Sequence, residues 1–217
     1  MKTLIITATS LEAKQIVDNL HFIKCSDTVF SNTDYNCDIL TTGVGLVATV
    51  FSMFTCVNIK EYDLLINLGT AGSFSENLKI GELVNVNSDS FEDICIRDNG
   101  EKINVFNSKF NQHFRNLINN GRIYNTSDYP HFFHNLKKVS GTSVNIPEQN
   151  PISNYEIESM EGAAFMLVCK HFKKNFIQIR GISNIISKTK RENWDFNTPI
   201  NNYSDLTIDF LKQNKWN

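Results

Sequence analysis

Short apolar runs alternate with longer stretches of helical periodicity along most of the chain. Residues 3–8 are apolar and β-branched, which reads as a buried strand. Ser10 then offers an N-cap for a helix over 11–20. A second strand over 38–42 ends at Gly43-Val44-Gly45, and the run 46–59 follows as a helix apolar on nearly every face, hence buried. Residues 63–68 form another buried strand, ending at Gly69-Thr70-Ala71-Gly72, and 82–86 is strand-like. The middle, 89–138, is more polar. It predicts a strand pair at 93–97 and 103–106 and a helix at 108–119. Beyond it the pattern predicts a strand end at 139–143, an extended piece at 156–160 and a mostly apolar helix at 161–173. A strand at 176–182 and a closing helix at 204–213 complete it.

Strand–helix alternation with nearly continuous apolar strands predicts an α/β fold. The expected form is a single three-layer domain over residues 1–217, with a central mixed, mainly parallel twisted sheet flanked by helices. In such sheets ligands bind beyond the carboxyl ends of the strands. That rule singles out 7–12, 43–45, 69–72, 141–145, 160–161 and 183–184.

Composition removes several function classes. The 217 residues are 41% hydrophobic and 20% charged, with a formal charge of −2. The one basic cluster, Lys188, Lys190 and Arg191, is too small to track a phosphate backbone, so nucleic acid is not an expected partner. The apolar stretch 43–59 is broken by Thr49, Ser52, Thr55 and Asn58, and falls short of the roughly 20 residues of a membrane span. The N-terminal apolar run is too short for a secretory leader, which points to a cytoplasmic chain. Five cysteines, at 25, 37, 56, 95 and 169, include no C-x-x-C pair, so neither a disulfide framework nor a structural zinc is expected. Cys56 and Cys169 lie in apolar helical runs and read as small buried hydrophobes. His21, His113, His131, His134 and His171 lack ligand spacing, and neither metal nor cofactor is expected.

Taken singly, the polar residues at strand ends are ambiguous. Gly69-Thr70-Ala71-Gly72 lets backbone N–H groups approach a ligand, or is simply a tight turn. It is no phosphate loop, because no Lys follows, and Gly43-Val44-Gly45 lacks the third glycine of a dinucleotide fingerprint. Glu12 and Glu161 each suit a helix N-terminus on dipole grounds alone. Asn184 could be a turn residue.

Their order along the chain is more specific. Asn67-Leu68-Gly69-Thr70-Ala71-Gly72 with 78–84, Ser159-Met160-Glu161-Gly162-Ala163-Ala164, and Arg180-Gly181-Ile182-Ser183-Asn184 resemble three blocks of the purine nucleoside phosphorylase/nucleosidase superfamily. The first looks like the glycine-turn region of the 5′-methylthioadenosine/S-adenosylhomocysteine nucleosidases, the second like their ribose-binding Met-Glu, the third like their R-x-I-S-D. The resemblance runs nearly end to end and implies the nucleoside phosphorylase-like fold. Two departures refine it. Asn67 stands where the phosphorylases carry a phosphate-binding Arg, which points to water as the nucleophile. Asn184 replaces an Asp, and a neutral amide suits N7 and O6 of a 6-oxopurine. With Arg191-x-x-Trp194, these features resemble the futalosine hydrolases of the alternative menaquinone pathway, which release hypoxanthine.

The resemblance implies a set of roles. Glu12 would be the base on water, and Asn184 would hydrogen-bond the departing purine. Glu161 would hold the ribose hydroxyls, with Met160 on the sugar face. Thr70, Ala71 and Gly72 would line the sugar and water site, and Val144 and Asn145 would lie near the base. Arg191 or Lys188 would meet a 5′-carboxylate and Trp194 would stack on its ring, unless that segment is a solvated loop with one aromatic anchor. His113 is a further candidate there. The partner would be a small nucleoside, and the assembly a homodimer or higher homo-oligomer. The competing readings are an adenine-specific nucleosidase of the methylthioadenosine type, a phosphorylase, and a catalytically silent nucleoside-binding protein.

Overall fold

The computed structural model describes residues 1–107, 114, 116–147, 154–186, 190 and 193–215. The strands are β1 (Thr3–Thr7), β2 (Ile23–Lys24), β3 (Val29–Asn32), β4 (Cys37–Thr41), β5 (Leu64–Ser73) and β6 (Leu83–Ser90). They continue as β7 (Cys95–Asp98), β8 (Glu101–Asn104), β9 (Arg122–Tyr124), β10 (Lys137–Ser143), β11 (Ile157–Ser159) and β12 (Asn175–Ile185). The helices are α1 (Ser10–Asn19), α2 (Leu46–Thr55), α3 (Gly162–His171) and α4 (Asn197–Gln213). The fold is the expected α/β kind, with a mixed central sheet and helices on both faces.

Parallel pairings build the centre of the sheet: β4 with β1, β1 with β5, β5 with β12. One half closes on itself. β12 pairs antiparallel with β6, β6 parallel with β10, β10 parallel with β11, and β11 returns antiparallel to β5. The short strands β2, β3 and β9 add antiparallel edges, and β7 with β8 forms a separate hairpin. β1 and most of β12 are buried along their length, as their continuous apolar runs require. One core lies between the sheet and the α2–α3 layer, including Met53, Phe165, Met166 and Phe176. The other lies under α1 and α4, with Ile16, Ile177, Tyr203 and Phe210. Among the described residues no helix is long and apolar enough to cross a membrane.

Several expectations are corrected. The N-cap of α1 is Thr9, not Ser10: its side chain accepts from the Glu12 amide while the Glu12 carboxylate accepts from the Thr9 amide, a reciprocal capping box. Gly69–Gly72 is no turn. β5 runs on to Ser73, because β12 and β11 supply its backbone partners there. α2 stops at Thr55 and is not buried all round. Val47, Phe51 and Phe54 are 80%, 65% and 51% exposed, because a helix in an outer layer can turn only one face to the sheet. Cys56, just past its end, is exposed, whereas Cys169 is buried. α4 begins at Asn197, well before the expected 204. The expected helix at 108–119 falls largely outside the described residues, and its last residue, Asn119, bridges to Arg122 in a turn.

Candidate active site

The site is assembled at the carboxyl ends of β1, β4, β5, β10, β11 and β12. The capping box fixes the first carboxylate. Glu12 Oε2 accepts from the Thr9 amide at 2.8 Å and from the Thr9 hydroxyl at 3.1 Å. Among the described residues, no group donates to Oε1. Burial is the main cause that raises the Glu12 acid above its ordinary value, and repulsion from Glu161 adds to it. The Thr9 hydrogen bonds and Arg180 oppose that rise. From α4, the buried Tyr203 hydroxyl donates to the Glu12 carbonyl at 3.4 Å, steadying the start of α1.

Arg180 on β12 opens the segment Arg180-Gly181-Ile182-Ser183-Asn184, and the structure gives it a role. It is 1% exposed. Its Nη2 donates to Asn67 Oδ1 at 2.5 Å and its Nη1 to the Ile179 carbonyl at 3.3 Å, while Nε is buried without a partner among the described residues. Asn67 completes the link by donating Nδ2 to the Ile6 carbonyl at 3.0 Å. A Cβ on Gly69 would meet Arg180 Nη1 at 3.1 Å and Glu12 Oε1 at 3.3 Å. The bare glycine is what lets the guanidinium and the carboxylate converge over β5. Nothing in the spacing of the sequence reveals this convergence, because only strand pairing brings Arg180 alongside Gly69.

The second carboxylate, Glu161, heads α3 without capping it. Instead Oε1 accepts from the Gly45 amide at 2.9 Å. Gly43 and Gly45 both adopt positive φ, +87° and +94°, so the β4–α2 turn aims that N–H across the cleft. Met160, beside it, is half-buried.

Asn184 sits at a bulge in β12. Ile182 pairs with Ala71 and Asn184 with Gly72, leaving Ser183 as the extra residue. The Ser183 hydroxyl lies 2.9 Å from Asn184 Oδ1 and 3.1 Å from the Ala71 carbonyl, both of which can accept from it. Oδ1 is thereby engaged, and Nδ2 is the end that a Cβ on Gly72 would meet, at 3.1 Å. The Asp195 amide donates to the Ser183 carbonyl at 3.0 Å and ties the segment carrying Trp194 to this bulge. Trp194 stands edge-on to Phe196, 5.9 Å between rings.

Other candidates are placed less centrally. Thr70 is half-buried in β5 opposite Gly181. Val144 is buried, its amide donating to the Ser159 carbonyl at 2.9 Å. Asn145 is exposed and clasped by Asp93, which accepts from both its amide and its Nδ2. Arg191, Lys188 and His113 lie outside the described residues. Among the described residues no cluster of His, Cys, Asp or Glu could hold a metal ion.

One group missed by sequence reasoning is Asp89, near the end of β6 and wholly buried. Oδ1 accepts from the Ser90 amide at 2.8 Å and the Ser143 hydroxyl at 3.1 Å, and Oδ2 from Gln178 Nε2 at 3.0 Å. Burial nevertheless raises its acid to about 6. The polar middle of the chain hides it, because a strand read as polar carries no sign that one carboxylate points inward.

The geometry is matched by kinship. No family model matches the sequence. A 5′-methylthioadenosine/S-adenosylhomocysteine nucleosidase of Buchnera aphidicola subsp. Schizaphis graminum is 26% identical over 204 residues, covering 86% of this chain and 84% of the relative. Another, from Colwellia psychrerythraea, is 23% identical over 206 residues, 82% and 79% of the two chains. Among solved structures, the Campylobacter jejuni nucleosidase of the same kind superposes with a TM-score of 0.74 at 18% identity, over 99% of this chain and 98% of that one. The Colwellia enzyme in complex with adenine gives 0.73 at 21%, over 99% and 96%. The fold is therefore that of these nucleosidases, and the expectation of a nucleosidase agrees with the relatives.

Proposed function

We propose that this chain is a cytoplasmic N-ribosyl hydrolase that cleaves the base from a purine nucleoside substituted at its 5′-carbon, in the manner of the 5′-methylthioadenosine/S-adenosylhomocysteine nucleosidases. The observation that carries this is the pair Glu12 and Glu161, held apart by separate backbone clamps at one end of the sheet, with Asn184 on the neighbouring bulge. Gly69, under Glu12, and Gly72, beside Asn184, are three residues apart on β5, about 10 Å. That span accommodates a water, a ribose and the five-membered edge of a purine.

In the reaction the N9–C1′ bond breaks, its electrons pass to the base, and the sugar becomes oxocarbenium-like. Glu12 accepts a proton from the water that attacks C1′. Its free Oε1 is the reacting oxygen, and Oε2 stays on Thr9. Glu161 accepts hydrogen bonds from the 2′- and 3′-hydroxyls and favours the cationic sugar by its charge. Met160 packs on the sugar face, and Thr70, Ala71 and Gly72 line its floor. Val144 and Asn145 border the base, and Trp194 the 5′-group, with Arg191 as its counter-charge. Arg180 does not supply a phosphate site: its guanidinium is buried and committed to Asn67.

A second reading has one observation in its favour. With Oδ1 held by Ser183, Asn184 offers only N–H donors, which suit N7 and O6 of hypoxanthine better than the N6 amino group of adenine. Futalosine is the 5′-substituted hypoxanthine nucleoside that fits. The test is incubation with methylthioadenosine, S-adenosylhomocysteine, futalosine and inosine, with and without phosphate. Free ribose product at a phosphate-independent rate is expected, and the base released identifies the substrate. A sugar 1-phosphate as main product would exclude hydrolysis.

The exposed stripe Val44, Val47, Phe51 and Phe54 supports a homo-oligomer. It adjoins Gly45, so a second copy seated there would border the site.

A further inference from the structure

We propose that Asp89 is a positioning residue for Glu161, acting through Ser143 on the first turn of α3. The proposal rests on the ribose-holding role given to Glu161 above. A helix start leaves four N–H groups without partners, and the N-cap side chain ordinarily serves one of them. Here the N-cap is Glu161, and it makes no such bond, because its carboxylate is spent on the Gly45 amide. The Ala163 amide is served from elsewhere: it donates to Ser143 Oγ at 2.8 Å. Ser143 in turn gives its only proton to Asp89 Oδ1, its contact with Ser159 Oγ being longer at 3.5 Å. The cap is thus supplied by proxy, which leaves the Glu161 carboxylate free to cross the cleft.

The surroundings of Asp89 are built for this. Burying a carboxylate is costly unless hydrogen bonds and a nearby cation compensate it. β6 supplies the acid and the Ser90 amide, β10 supplies Ser143 and β12 supplies Gln178. Arg180 is the cation whose charge reaches it. Gly162, the first residue of α3, has no room for a side chain: a Cβ would overlap Gln178 Nε2 and Asp89 Oδ2. On β10, a Cβ at Gly141 would meet Val86 Cγ1 at 2.8 Å and Asp89 Oδ2 at 3.3 Å. The two glycines let α3 and β10 close directly on the carboxylate, so the acid sets where the helix begins.

An amide could do the same work. In Asp89→Asn the Oδ1 acceptor for Ser90 and Ser143 persists, and the new Nδ2 meets Gln178 Oε1, buried without a partner in the wild type, once that amide turns over. Asp89→Ala removes the acceptor, and Ser143→Ala removes the cap itself. Steady-state kinetics on methylthioadenosine and futalosine, with amide hydrogen exchange at Ala163, test the idea. Ser143→Ala and Asp89→Ala are expected to raise KM about tenfold with a smaller loss of kcat, and to speed exchange at Ala163, while Asp89→Asn stays near wild type. Unchanged KM in Ser143→Ala, unaltered exchange at Ala163 in that variant, or Asp89→Asn as impaired as Asp89→Ala would overturn it. If Asp89→Ala does not fold, Ser143→Ala and Asp89→Asn decide alone. If the wild type cleaves neither nucleoside, the proposed function fails, yet unaltered exchange at Ala163 in Ser143→Ala would still refute the positioning role and faster exchange would uphold it.

Discussion

At the residue scale, Glu12 offers one free oxygen at the handover from β1 to α1. Glu12→Gln keeps the shape of the capping box but cannot take a proton, so kcat should fall about 10²–10⁴-fold with KM little changed. Because burial and Glu161 raise its acid, the acid limb of wild-type kcat should lie above the ordinary 4.5, and the residual activity of Glu161→Gln should show that limb at lower pH. At the base, an adenine N6 amino group facing Asn184 Nδ2 sets donor against donor. An unsatisfied buried donor costs about 1–3 kcal/mol, so a 6-oxopurine should be preferred by about tenfold or more. Asn184→Asp should shift that preference towards adenine at low pH, as seen in kcat/KM for inosine-type and adenosine-type substrates sharing one 5′-group. Asp89 carries a pH signature in stability. Its folded-state acid is raised from 3.8 to about 6 by burial, so the fold favours the protonated form. That contribution is fully present below the unfolded value and is lost as pH rises through about 6. Asp89→Asn cannot ionise, so its unfolding temperature should gain on that of the wild type between about pH 4 and about pH 6 and hold a constant lead above about pH 7.

At the scale of elements, α3 shows local preference yielding to its neighbours. Alanine in place of glycine inside a helix gains at most about 1 kcal/mol. At Gly162 the added methyl overlaps the Asp89–Gln178 hydrogen bond, and overpacking of that kind costs about 1–3 kcal/mol. Gly162→Ala should therefore lower stability in denaturant titrations despite the better helix former. The apolar periodicity of α1, α3 and β12 was readable because each turns an apolar stripe or a whole run to a core. Local pattern ends β5 at Leu68, because paired glycines in isolation signal a turn. Their strand conformation depends on β11 and β12, which lie far along the chain. β2, β3 and β9 carry no readable pattern: β2 and β3 are short edges of exposed or half-buried residues, and β9 is three residues long with only Ile123 buried.

At the scale of the molecule, one apolar surface remains to be accounted for. The stripe from Val44 to Phe54 recurs every three or four residues, as a helix packing on a like partner requires. With the stripe seated on a second copy, the wild type should behave as a dimer in light scattering, and Val47→Glu with Phe51→Glu as a monomer. A dimeric double variant would place the interface elsewhere.

What the sequence by itself determined was the α/β class, the order of its central elements and the identity of the residues at the strand ends. Those follow from local pattern: strand runs long enough to bury, helix stripes, and Thr9 and Ser10 ahead of the acidic first turn of α1. Glu12, Glu161 and Asn184 stand where such patterns end, and the ordered blocks around them, by their resemblance to the nucleosidases, single them out. What only the tertiary structure decided was which groups share a clamp. Arg180 and Glu12 converge over Gly69, Gly45 holds Glu161, Ser183 orients Asn184, and Asp89 caps α3 through Ser143. Apart from Ser183 and Asn184, chain neighbours turned together by the β12 bulge, these links join residues far apart in the sequence, and a buried polar contact leaves no periodic trace in the chain that makes it.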